Sequence, residues 1–295
     1  IIREAETNEK WESLTVSEIL SYSSNIGTSK IAFDLGSENL QKILFDYGFG
    51  QKTGVELPGD VKGLVQALPW QKHLLANISF GQGVAVTALQ LANAYAAIAN
   101  GGVLHKPYII QSIRDTESGL LKEFQAQEVR RVLTPEESAS MRIMLTGVTA
   151  PGRTGQNANV EGYMVAGKTG TAQKADNNGR GYLPGAYVSS FAGFVPATDP
   201  KFVIFVMVDH PTENSYYGSQ VAAPIFSRLA SYAVRRAGIA PVMLKEKTKD
   251  KKIRLSIAEQ KSEKKNELKI VGAEAAEQAS APALELLPDL RQLTA

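Results

Sequence analysis

At 295 residues, 43% of them hydrophobic and 21% charged, the chain can bury one large core or two small ones. A formal net charge of +2 gives no electrostatic case for nucleic acid as a partner, and the absence of cysteine excludes disulfides and thiolate-ligated metal or iron–sulfur centres. No run of about 18 or more apolar residues exists, and the longest apolar stretch, Phe202–Val208, has the length of a buried strand. The chain opens Ile1-Ile2-Arg3-Glu4, without a methionine or a signal peptide, and so reads as the interior of something longer.

Thr15-Val16-Ser17-Glu18 matches a capping box and predicts a helix to about Ser21, with Val16, Ile19 and Leu20 on one face. A second helix is predicted over Asn25–Leu35, stopped by Gly36. A third takes Ser37 as its N-cap, turns Leu40, Ile43, Leu44 and Tyr47 inward, and stops at Gly48. The glycine- and proline-rich stretch Gly48–Pro69 reads as loop and short strand. Thr87 caps a helix, with Gln90 at the third position, that runs to the Asn100-Gly101-Gly102 terminator. Thr134-Pro135-Glu136-Glu137 is another capping box, with proline at the first helical position, and opens a helix to about Gly147. Strands are predicted over 162–174, 187–195 and 201–209, the last two joined as an antiparallel pair by Thr198-Asp199-Pro200. A closing helix, about Val221–Ala237, is expected to carry Ile225, Leu229 and Val234 inward.

Beyond Pro241 the composition shifts. Residues 245–269 hold ten Lys/Arg and five Asp/Glu, and 271–283 are mostly Ala, Glu, Gln and Ser. Such a segment buries too little surface to offset its ordering entropy, so 243–286 is expected to be a disordered linker. His73, His105 and His210 lack the spacing of a metal site, and neither a metal nor a cofactor is expected. Gly81-Gln82-Gly83 is expected to shape the turn before the 87–100 helix, and Trp70 and Tyr216-Tyr217 to pack rather than line a cleft.

The informative run is Val165–Lys174. Within it, Lys168-Thr169-Gly170 sets a cation, a hydroxyl and bare backbone together on a strand, an arrangement suited to a carboxylate beside an acyl group under attack. One given tripeptide occurs by chance in roughly one chain in fifteen of this length, so its surroundings decide. Ser23-Ser24-Asn25, in a break between two predicted helices, can supply a relay hydroxyl and a substrate-orienting amide. A helix cap is the bland alternative for both residues. A second Ser-x-Asn, Ser37-Glu38-Asn39, is better explained by capping.

Ser-x-x-Lys, a Ser-x-Asn element and Lys-Thr-Gly occur together in class A β-lactamases and penicillin-binding proteins. This sequence resembles the second group, the monofunctional class B peptidoglycan D,D-transpeptidases, with a slight lean to the division branch. The likeness runs through Leu14-Thr15-Val16, Ser23–Gly27, Tyr47–Gly50, Thr53–Gly59, Ser79–Gly83, Thr87–Ala92, Ala94-Tyr95-Ala96, Asn100-Gly101-Gly102, Gly162–Gln173 and Phe191–Pro196. It implies an α+β (mixed) fold of the penicillin-recognising, β-lactamase-like kind: an antiparallel sheet flanked by helices on both faces, here lacking its N-terminal part. It also implies roles. Ser23 resembles the hydroxyl that passes a proton to the departing D-alanine, and Asn25 the side chain that binds the stem-peptide amide. Lys168 resembles the strand lysine that holds Ser23 and favours the substrate carboxylate. Thr169 and Thr171 resemble the hydroxyls that bind this carboxylate, with the Thr171 N–H in the oxyanion hole, while Gly170 leaves the strand edge bare for substrate. The ligands implied are peptidoglycan stem peptides and β-lactams, and the partners division or elongation membrane proteins. The location implied is the periplasmic face of the bacterial inner membrane, through an N-terminal helix not encoded here.

The sequence departs from the family at one motif. A Ser-x-x-Lys should precede Ser23 by several tens of residues, and none stands there. The literal match, Ser262-Glu263-Lys264-Lys265, lies in the charged tail, and Thr7-Asn8-Glu9-Lys10 is too close to Ser23. Residues 1–242 are therefore expected to be a partial transpeptidase domain without its nucleophile, inactive alone. Leu287–Ala295 resembles the start of a truncated PASTA module, departing at Gln292 where glycine is usual. The alternatives are a non-catalytic paralogue that binds wall peptide or a division partner, and a β-lactam sensor, β-lactamase or carboxypeptidase on the same fold. The pattern over 79–102 argues against a β-lactamase.

Overall fold

Local capping chemistry builds the helical half. In the computed structural model, which describes residues 2–4, 11–176, 181–213 and 215–241, the first helix, α1 (Val16–Tyr22), starts at a complete Thr15/Glu18 capping box. Helix α2 (Asn25–Leu35) follows after a two-residue break, its N-cap being Ser24, whose hydroxyl accepts from the Gly27 N–H. Helix α3 (Ser37–Asp46) corrects the expected cap. Gly36 occupies the N-cap position, Ser37 is the first helical residue, and no side chain caps the helix. The expected linker 243–286, the segment 287–295 and both Ser-x-x-Lys look-alikes that the sequence offers lie outside the described residues.

Helix α4 (Lys72–Ser79) was not foreseen. It follows Pro69-Trp70 without a capping side chain and buries Leu75, Ala76 and Ile78. Leu75 and Ile78 join Ala32 and Trp70 in a small core, so Trp70 packs as expected. Helix α5 (Ala88–Ala99) begins at a complete Thr87/Gln90 capping box. The buried Gln90 amide then donates to the Gly48, Gln51 and Lys62 carbonyls, tying the glycine-rich loops to this helix. Four short strands come next: β1 (Val103–Lys106), β2 (Ser112–Arg114), β3 (Leu121–Glu123) and β4 (Gln127–Arg131), paired β1 with β4 and β2 with β3, both antiparallel. Helix α6 (Pro135–Val148) has the expected capping box and N-terminal proline.

The second half is a three-stranded antiparallel sheet of β5 (Ala166–Ala175), β6 (Tyr182–Val195) and β7 (Phe202–Asp209), in the order β5-β6-β7. Side chains alternate across it. Phe191, Val195 and Val206 face a core shared with helix α7 (Ala222–Arg236). Phe194 and Ala166 face the opposite side, against Ala99 of α5 and Leu145 of α6. Helices thus cover both faces, as expected. Within α7 the buried residues are Ala222, Ala223, Phe226, Ala230 and Val234, whereas Ile225 and Leu229 are 38% and 47% exposed. The inward assignment of Ile225 and Leu229 is corrected: small alanines let the helix backbone approach the sheet closely. On α1, Val16 is likewise exposed while Ile19 is buried, and on α3 Ile43 is exposed.

Candidate active site

The two halves meet at a groove of about 690 Å³ between the α1–α2 corner, the end of α4 and the β5 edge. Ser23 closes α1 in the left-handed region, at φ 62 and ψ 41. A non-glycine residue pays about 1–2 kcal/mol to sit there, so the neighbouring contacts must hold it. They do so on both sides. The Ser23 and Ser24 N–H groups donate to the Leu20 and Ile19 carbonyls, and the Thr154 hydroxyl donates to the Ser21 carbonyl at 3.3 Å. The Arg153 guanidinium also lies over the Tyr22 ring, 3.9 Å from its centroid.

Across the groove, the Lys168 ammonium on β5 donates to Ser23 Oγ at 2.8 Å, to the Thr169 carbonyl at 3.1 Å and to Thr169 Oγ1 at 3.3 Å. Burial pushes the Lys168 ammonium down to about 8, because removing water disfavours its charged form. Among the described residues lining the groove no carboxylate appears, and Lys168 is the one formal charge. A cation backed by hydroxyls, without a competing acid, forms a pocket for an anion.

The remaining sequence candidates fall as follows. Asn25, the first residue of α2, lines the groove, and its amide donates to the Arg3 carbonyl at 3.3 Å. Thr169, Gly170 and Thr171 line it from β5, which among the described residues has β6 on one flank only, leaving the other flank for an added strand. A side chain at Gly170 would meet Ser190 Oγ at 2.5 Å, which is a further reason for a bare residue there. Thr171 Oγ1 accepts from the Gly218 N–H at 2.9 Å, which leaves its own proton free to donate elsewhere. Gly218 must itself be bare: a Cβ there would lie 2.3 Å from the Gly170 carbonyl oxygen and 2.5 Å from that of Ser190.

Several lining residues escape sequence reasoning. Tyr216 and Tyr217, expected to pack, instead stand partly exposed at the groove, with the Tyr187 and Tyr216 rings stacked at 4.1 Å. Their loop is fixed by the Ser189 hydroxyl, which donates to the Tyr216 carbonyl, and by the Thr171–Gly218 bond. Asn77 and Ser79 enter from the unforeseen α4. Only the Leu74, Leu75 and Ile78 spacing could have signalled that helix.

Residues 2–231 match the family model described as penicillin binding protein transpeptidase domain. The chain belongs to this family. Over 232 residues it is 40% identical to Stage V sporulation protein D of Bacillus subtilis strain 168, covering 77% of this chain and 35% of that protein. Over 234 residues it is 36% identical to the probable peptidoglycan D,D-transpeptidase PbpC of Pseudomonas aeruginosa, covering 79% and 39%. Among solved structures it is similar to penicillin binding protein 3 of Mycobacterium tuberculosis complexed with aztreonam, at TM-score 0.73 and 32% identity, covering 83% of this chain and 57% of that one. It is also similar to the apo TP domain of penicillin-binding protein 3 from Burkholderia pseudomallei, at TM-score 0.68 and 36% identity, covering 78% and 66%. The chain thus spans little more than a third of the length of these curated relatives. Its helices and antiparallel sheets form the mixed fold of the penicillin-binding transpeptidase family, matching these penicillin-binding protein 3 structures. Among the described residues, no helix is long and apolar enough to cross a membrane.

Proposed function

We propose that this chain supplies the relay and anion-binding half of a peptidoglycan D,D-transpeptidase active site. The observation that carries the reading is the 2.8 Å contact of Lys168 Nζ with Ser23 Oγ across a groove that, among the described residues, no carboxylate lines. A stem peptide would lie along the open flank of β5 with its terminal carboxylate on Lys168, Thr169 and Thr171. Its amide would meet the Asn25 side chain, and its scissile carbonyl oxygen the Thr171 N–H. With Ser23 Oγ accepting from Lys168, the serine's own proton is free for the departing nitrogen. Lys168 then returns a proton to Ser23, a transfer suited to an ammonium brought down to about 8. β-Lactams, which carry a carboxylate near a strained amide, would bind the same groove and acylate the nucleophile that completes it.

The acylated serine and its base belong to a Ser-x-x-Lys outside these residues, so that the 295 residues alone would not form an acyl-enzyme. The partial coverage of the relatives supports this reading. The intact protein would act on the extracytoplasmic face of the membrane, recruited by division or elongation membrane proteins. The test is fluorescent penicillin labelling of the protein expressed from its complete coding sequence, with and without Lys168→Ala. Labelling that Lys168→Ala abolishes supports the proposal. An intact protein that never labels defeats it and leaves a wall-peptide binder.

A further inference from the structure

The corner that carries Ser23 and Asn25 is not held by its own helices alone. Glu4 reaches it from the start of the chain. One carboxylate oxygen accepts from the Ser24 hydroxyl and the other from the Asn25 backbone N–H, both at 2.7 Å. The Ser24 hydroxyl in turn accepts from the Gly27 N–H at 2.9 Å, and Ser24 is 3% exposed. The neighbouring Arg3 carbonyl accepts from the Asn25 side-chain amide at 3.3 Å. Residues 3 and 4 therefore engage the backbone N–H and the amide of Asn25 together. Between them they hold both residues of the Ser24–Asn25 peptide, directly after Ser23.

We infer that Glu4 is a positioning residue of the acyl-transfer site, its carboxylate clamping Ser24 and Asn25 so that Ser23 stays in the left-handed conformation that meets Lys168. The inference rests on the transpeptidase reading for its catalytic consequence. The clamp itself does not depend on that reading. A bridging carboxylate satisfies two donors in fixed relative positions, and both bonds are charge-assisted. Without it, the Asn25 N–H at the first turn of α2 loses its partner, and the Ser24 hydroxyl is free to rotate away from Gly27. The left-handed Ser23 then loses part of the framework that over-determines it. The contacts that hold Lys168 itself, to the Thr169 carbonyl and hydroxyl, do not involve Glu4 and persist. The anion pocket should thus survive while the relay loosens, so catalysis and binding should separate.

The experiment compares Glu4→Ala, Glu4→Asp and Glu4→Gln with the unaltered protein at full length. Pre-steady-state labelling by fluorescent penicillin resolves the acylation rate constant from the non-covalent dissociation constant, and amide hydrogen exchange follows Asn25 and Gly27. The expected result is an acylation rate constant at least tenfold lower in Glu4→Ala, with a dissociation constant changed by less than threefold and faster exchange at Asn25. Glu4→Gln keeps one acceptor and should fall between Glu4→Ala and the parent. Glu4→Asp, shorter by one methylene, should bridge less well than the parent. A Glu4→Ala rate equal to the parent overturns the inference. So does a loss confined to the dissociation constant, or one matched by the unfolded fraction in all three variants. If the unaltered protein fails to label, the transpeptidase reading falls on its own. Unchanged Asn25 exchange in Glu4→Ala then overturns the clamp, and faster exchange sustains it.

Discussion

The Lys168 ammonium and the Ser23 hydroxyl, 145 positions apart in the chain, meet at 2.8 Å across the groove. The contact joins a β-edge to a helix–helix corner, so it depends on the packing of α1 and α6 against the sheet around Phe194, Leu145 and Leu20. Its first consequence is energetic. A lysine taken down to about 8 inside the fold, against an unfolded value near 10.4, costs the folded state stability wherever it is charged.

The sign follows from proton counts. Between about pH 8 and 10.4 the unfolded chain binds more protons at this lysine than the folded one, so its contribution to stability rises with pH across that window. Lys168→Met should remove this rise, which amounts to at most about 3 kcal/mol. Urea denaturation of both proteins near pH 7 and near pH 9.5 checks it. Equal pH dependence in parent and variant would contradict the burial of the ammonium.

The same titration should govern ligand selection. Below about pH 8 the ammonium is charged and favours a carboxylate; above it, the attraction fades. The ratio of acylation rates for a penicillin and its neutral methyl ester should therefore fall as pH rises through 8, measured by stopped-flow on the full-length protein. A flat ratio would remove Lys168 from carboxylate recognition.

Substitution at Ser23 separates backbone strain from chemistry. Ser23→Gly and Ser23→Ala both lose the proposed relay hydroxyl, yet glycine accepts φ 62 freely. The glycine variant is expected to be about 1 kcal/mol more stable than the alanine variant by thermal or chemical unfolding. Equal stabilities would mean that the corner relaxes away from the left-handed region once the side chain is gone.

Thr171 faces both the groove and the tyrosine loop. Thr171→Val strands the Gly218 N–H and should cost about 1–3 kcal/mol, whereas Thr171→Ser keeps the acceptor and should stay close to the parent. Denaturation midpoints together with exchange at the Gly218 amide distinguish the two. In the core, Phe226→Ala, which empties a fully buried ring set 4.6 Å from Phe191, should cost about 3–5 kcal/mol with the denaturant slope unchanged.

Much of the scaffold is legible because its signals are local. Thr15, Thr87 and Thr134 each announce a helix through a capping partner three residues on, and each of those boxes forms. Signals that depend on distant neighbours are not legible. The β1–β4 strands are three to five residues long, and β2, β3 and β4 are almost wholly exposed, too short for an alternating pattern to stand out. The burial of Ala222 and Ala230 in place of Ile225 and Leu229 is set by how near α7 lies to the sheet, which no residue of α7 declares. At the site, motif resemblance picked out Ser23, Asn25 and Lys168. The groove positions of Tyr187 and Tyr216, and the reach of Glu4, follow from loop paths fixed elsewhere in the fold.

The break between α1 and α2 is only two residues long, Ser23 and Ser24, and both are already committed, one to the groove and one to the α2 cap. An added residue inside α1, anchored at the buried Ile19, would swing everything beyond it by about 100° and advance it by about 1.5 Å, carrying the serine out of reach of the lysine. Insertions and deletions are therefore all but closed to this corner, while the exposed turn between β2 and β3 is free to lengthen. Divergence among proteins built this way should appear as exchanged side chains around the groove and as altered lengths only at its outskirts.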